Sequence, residues 1–144
     1  MRWVTRPGIR VNRAATGWLV RRFIDPEAAF LFVPPEEVAG VQAREGAIGF
    51  DAPGARYPHR DAEGRCSFEA LVAEHRPEDE ALRRVARIVH CADFADEVAH
   101  CAQAAGLRAI SRGFPLVAGD DHETMERAAF LYDALYAGFV ADAG

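Results

Sequence analysis

No lysine occurs in this sequence. All 17 basic residues are arginine, set against 22 acidic ones for a formal charge of −5 over 144 residues. Codon bias in a GC-rich genome accounts for that count, and the high alanine content agrees with it. The chemical result is that every such cation is a guanidinium, which grips carboxylates and oxyanions at two points and stays charged when desolvated. Also missing is any apolar run near the ~20 residues of a membrane span, and the opening MRWVTRPGIR has no secretory-type apolar stretch. A cytoplasmic protein without membrane contact is expected. Cys66, Cys91 and Cys101 form no CxxC pair and leave one thiol over in any pairing, which argues against a disulfide framework and for a reducing compartment. GxSxG, P-loop and GxGxxG motifs are absent, so serine-hydrolase, nucleotide-phosphate and dinucleotide readings have no support.

A chain of this length buries roughly 70% of its unfolded surface as one domain, and residues 1–144 are read as a single unit without repeat or linker. Its charge is lopsided: Arg2, Arg6, Arg10, Arg13, Arg21 and Arg22 all precede the first acid, Asp25. Trp3-Val4-Thr5 reads as a short strand ended by Pro7-Gly8. Asn12 is placed as the cap of a helix to about Ile24, with Thr16, Leu19, Val20, Phe23 and Ile24 inward and Trp18, Arg21 and Arg22 outward. Residues 29–34 form a continuous apolar run, as in a buried strand. Pro35 opens a short helix, and a third strand runs through Phe50 into a turn-rich stretch to Arg65. Ser67 is read as the cap of a helix to His75, and Pro77 as the start of another with Leu82, Val85, Ala86 and Val89 inward. Helix 99–114 is expected to break at Gly106, and Gly119-Asp120-Asp121 to cap a last long helix. The fold class is α+β: a helix-rich single domain with a small sheet of about three strands.

Three constellations carry chemistry. Asp93 falls in line with the core stripe of its helix, where a lone carboxylate is expensive and needs a partner. His90 lies three residues earlier, His59 sits in the irregular loop, and Cys66 and Glu69 are again three apart, so N, S and O donors come from three segments. The second constellation is Arg21 and Arg22 flanking Trp18, with Arg10 and Arg13 near a helix start, a set suited to a tetrahedral dianion or to stacking and ordinary ion pairs. The third, Asp121, His122 and Glu126, reads as a helix cap. The acidic balance and the lack of a base-reading helix give no expectation of nucleic-acid binding.

The run RVNRAATGWLVRRFIDPEAAFLFVP, then GFDAPGARYPHR, CSFEALVAEH, LRRVARIVHCADFAD, QAAGL and DDHETMERAAFLYDALYA, resemble in order and spacing the C-terminal domain of ChrB-type chromate-resistance proteins. The resemblance spans nearly the whole chain and implies chromate-responsive regulation or chromate reduction. It supports a divalent ion (Zn, Mn or Fe) at His59, Glu69, His90 and Asp93, with Cys66 and Asp96 as additional ligands or redox groups. It also supports an oxyanion held by Arg21, Arg22 and Trp18. Thr16-Gly17 stands where the family often has Cys-Pro, and Cys91 where many relatives carry Asp. The usual regulatory N-terminal domain does not precede this block, so DNA-binding regulation is not expected. The function expected is binding of a divalent metal and of an oxyanion such as chromate, in reduction or sensing. A metal-dependent hydrolase or lyase on another substrate, with Glu69 or Asp93 as base, and a non-catalytic binding module stay open as alternatives.

Overall fold

In the computed structural model, which describes residues 1–143, the three expected strands pair side by side. β1 (Arg2–Thr5), β2 (Ala29–Phe32) and β3 (Ile48–Gly49) form an all-parallel sheet in the order β2-β1-β3. Parallel neighbours need crossovers, and α1 (Val11–Leu19) supplies the first and α2 (Val38–Glu45) the second. The two crossovers run in opposite directions across the sheet, so a common right hand puts their helices on opposite faces. Strand side chains alternate accordingly: Trp3 and Phe30 enter the larger core, while Val4 packs with Val38, Val41, Ala47 and Ala52 in a smaller one. The connection reverses at β1, which leaves a crevice at the carboxyl ends of β1 and β3.

The second half is helical: α3 (Ser67–His75), α4 (Glu80–Asp93), a 3₁₀ segment (Ala95–His100), α5 (Ala104–Arg112), α6 (Phe114–Val117) and α7 (Asp121–Ala143). The α+β class with three strands is as expected. On α4 the stripe Leu82, Val85, Ala86 and Val89 is buried as its periodicity required, and so are Met125, Tyr132 and Phe139 on α7. Among the described residues no helix is long and apolar enough to cross a membrane.

Several local expectations are corrected. Asn12 is not a cap; Arg10 holds that position without a side-chain bond to the helix. Asn12 is buried instead, its Nδ2 donating to Ser67 Oγ at 2.6 Å and its Oδ1 accepting from Phe68 N at 3.3 Å. Cys66, not Ser67, caps α3, in a reciprocal box with Glu69, and Asp79, beyond Pro77, caps α4. The break placed at Gly106 falls at Gly113, because α5 runs through Gly106. Trp18, placed outward, is only 3% exposed. One apolar stripe suits a helix packed on one side, whereas α1 lies between α3 and α7, with Trp18 against Phe68, Tyr132 and Tyr136. At Gly17 a Cβ would meet the Met125 side chain at 2.4 Å, so glycine serves the close approach of α1 and α7. Beyond Leu19 the helix widens into a π-helical turn, Val20–Ile24.

Asn12→Ala leaves the Phe68 N–H buried without its partner and the Ser67 hydroxyl with only Thr16 Oγ1, 3.3 Å away. A loss of about 2 kcal/mol in urea unfolding is expected, and a loss below about 0.5 kcal/mol would contradict this bridging role.

Candidate functional site

The crevice at the carboxyl ends of β1 and β3 is organised by Asp51, which follows β3 after Phe50 and is 1% exposed. Among the described residues it is the non-glycine residue with positive φ, at 50°, a region that Asp tolerates better than bulkier residues. Its carboxylate accepts from His59 Nδ1 at 2.8 Å, Arg6 Nη2 at 3.2 Å and Arg13 Nη1 at 3.2 Å. Burial works to raise its pKa, but His59 and the two guanidinium groups outweigh it and hold Asp51 below the usual carboxylate range. Its hydrogen bond in turn raises His59 above the ordinary imidazole value. Asp93, at the end of α4, lies with Oδ2 3.7 Å from His59 Nδ1. Burial and then the neighbouring Asp51 charge push Asp93 up to about 6.

Beside this network opens a cavity of about 400 Å³ lined by Arg6, Arg10, Arg13, Arg108 and Arg112, with Asp93 as its acid. The first turn of α1, whose cap residue offers no side-chain bond, forms part of the wall through Val11 and Arg13. Among the described residues the buried side-chain polar atoms without a hydrogen-bond partner are Arg13 Nε and Asp93 Oδ2, a donor and an acceptor on two lining residues. Arg108 is held by the carbonyl of Ala92 at 2.8 Å.

A second group forms on the far side of Phe94. Cys66 Sγ, a Glu69 carboxylate oxygen and a His90 ring nitrogen lie within 4.8 Å of one another. Glu69 Oε1 accepts from Cys66 N at 2.9 Å and lies 2.6 Å from His90 Nδ1, while Glu97 Oε1 is 3.9 Å from His90 Nε2. Burial first, and then the Glu69 charge, push the Cys66 thiol well up. Glu69 and His90 line an outer cleft of about 510 Å³. The Phe94 ring stands edge-on to both histidines, 5.1 Å from His59 and 4.7 Å from His90, with the Arg60 guanidinium 4.0 Å above it.

The expected metal set is therefore distributed: His59 and Asp93 join Asp51, and Glu69 and His90 join Cys66. Asp96 is exposed on the 3₁₀ segment, where Glu97 is the residue that approaches His90. Trp18 Nε1 donates to Asp133 at 2.8 Å, and Arg22 pairs with the same oxygen at 2.6 Å. Arg21 lies over Phe30 at 4.8 Å. Asp121 accepts from Gly8 N and Ile9 N, and His122 packs edge-on to Phe32. Sequence reasoning missed Asp51, Arg6, Glu97, Arg108 and Arg112. A signal existed for Asp51, an acid just past a strand end, while Arg108 and Arg112 reach the cavity through the packing of α5.

Folded Asp93 holds its proton more tightly than in the unfolded chain, so between its ordinary 3.8 and about 6 this group's contribution to stability falls as pH rises. Asp51 has the opposite sense, its contribution being present above the ordinary carboxylate pKa and lost as pH falls through its depressed folded value. That of His59 is present below 6.5 and lost as pH rises through its raised folded value. Asp93→Asn is expected to gain about 1–3 kcal/mol in urea unfolding near pH 8 and little near pH 4. An equal change at both pH values would contradict this.

The chain matches the family described as ChrB, C-terminal domain, over residues 3–139. It is 36% identical over 138 residues to Protein ChrB of Cupriavidus metallidurans, an alignment that takes in 95% of this chain and 40% of that protein. No solved structure matches it. With the family match running from β1 to α7, and so through both groups around Phe94, the chain belongs to the ChrB C-terminal domain family.

Proposed function

We propose that this chain is a chromate-resistance-type protein whose arginine cavity binds a tetrahedral oxyanion, chromate foremost. One observation carries the reading: five arginines converge on a cavity with a single carboxylate, that of Asp93. A dianion draws charge-assisted bonds from the free guanidinium groups. Asp93, with its pKa pushed up to about 6, adds little negative charge to the cavity below that value. Arg6 and Arg13 are held by Asp51, which leaves Arg10 and Arg112 as the adaptable contacts.

The Cys66, Glu69 and His90 donors also fit a divalent ion, since a thiolate, a carboxylate and an imidazole are a borderline-soft set that favours Zn²⁺ or Fe²⁺ over Mn²⁺. An ion bound there supplies a Lewis acid, or for iron an electron. The Glu69–His90 contact at 2.6 Å would give way as both turn to the ion, and the buried thiol would give up its proton on binding. With both sites present, the domain serves resistance by sensing chromate or by reducing it, and loss of the chromate absorbance in the presence of an electron donor identifies reduction.

Calorimetric titration with chromate at low salt is expected to show about a tenfold weaker affinity for Arg10→Ala and for Arg112→Ala than for the natural chain. Arg21→Ala is the comparison arm. Unchanged affinity in the cavity variants with a loss in Arg21→Ala would move the anion to the Trp18 face, and no binding by the natural chain would overturn the reading. Equilibrium dialysis against Zn²⁺ is expected to give about one ion per chain, falling by roughly tenfold or more in His90→Ala and Cys66→Ser. Undiminished metal in both variants would overturn that assignment.

A further inference from the structure

Cys91, at the end of α4, and Cys101, just past the 3₁₀ segment, bring their sulfurs to 2.6 Å. Neither takes part in the two groups around Phe94, and Cys66 is the odd thiol, buried and occupied with Glu69. The two sulfurs are already in contact, as closing a disulfide between them requires. Their environments differ. Cys91 is fully buried. Cys101 is half-buried and lines a surface cleft of about 300 Å³ together with Arg84, Arg87 and His100. Accessibility is what lets a small oxidant reach a thiol.

We propose that Cys91 and Cys101 are a reversible redox modification site that closes to an intramolecular disulfide on exposure to a hydroperoxide. The Cys101 thiolate attacks the peroxide, breaking its O–O bond and releasing hydroxide, and becomes a sulfenic acid. The Cys91 sulfur then attacks Cys101 Sγ, forming the S–S bond and expelling the sulfenic oxygen as water. Two thiols lose two electrons and one hydrogen peroxide is reduced to two waters. The loop so closed carries Asp93 to the arginine cavity, Phe94 between the two histidines and Glu97 beside His90. Oxidation therefore clamps the segment that touches both sites. The proposal stands on the thiol geometry and does not depend on the chromate reading.

The test uses the reduced, full-length chain treated with hydrogen peroxide, denatured, alkylated with N-ethylmaleimide and weighed intact and after trypsin. Labelled thiols are expected to fall from three to one. Both cysteines lie in the tryptic peptide 88–108, which should be found unlabelled and about 2 Da light. The Cys66 peptide should keep its label, and dithiothreitol should restore all three. In Cys91→Ala, dimedone should trap a sulfenic acid on Cys101. Three labels surviving an excess of peroxide in the natural chain, or loss of label from Cys66 instead, overturns the proposal whatever the variant does.

Discussion

The buried carboxylate of Asp51 is the constraint on which the site depends. A charge removed from water is tolerable only when paired and hydrogen-bonded, and Asp51 meets that condition with three cationic partners drawn from three segments. Arg6 follows β1, Arg13 lies on α1 and His59 comes from the irregular loop. The same requirement that stabilises the carboxylate therefore fixes where the early chain turns, how α1 begins and how the loop returns to the sheet. It also leaves Asp93 as a second acid close by, with no such set of partners, and its proton is held accordingly.

Two kinds of chemistry lie back to back across Phe94. On one side guanidinium groups dominate, with Asp93 as the acid among them. On the other, the sulfur of Cys66, the carboxylate of Glu69 and the imidazole of His90 face one another. Asp93, Phe94 and Glu97 sit within five residues of one another, so a small movement of that segment alters both sides. The apolar ring stands between the histidines while contacting each, and the Arg60 guanidinium lies above it.

Much of the architecture was legible because period and burial agree. The α4 stripe was read correctly from its spacing, and the apolar run at 29–34 became β2. Local signals failed where tertiary contacts reassigned a residue. Asn12 has the side chain of a cap, yet packing against α3 draws it into the interior to satisfy Ser67 and Phe68. Trp18 was placed by a one-sided wheel on a helix that has neighbours on more than one side. Of the candidate site, Cys66, Glu69, His90, His59 and Asp93 were all singled out from the sequence, but the sequence had no means of dividing them into two groups.

The sequence by itself determined the supply of groups: guanidinium as the side-chain cation apart from histidine, six arginines ahead of the first acid, and N, S and O donors at helical spacing. It also determined the family, through long blocks in a fixed order. Tertiary structure alone decided which of these groups meet. Parallel pairing in the order β2-β1-β3 put Arg6 and Asp51 at one crevice, and the packing of α5 brought Arg108 and Arg112 to join Arg10 and Arg13. Arg22 was taken instead by Asp133 on α7, more than a hundred residues away. Such contacts depend on how crossovers stack helices on a sheet, and no local pattern encodes that arrangement.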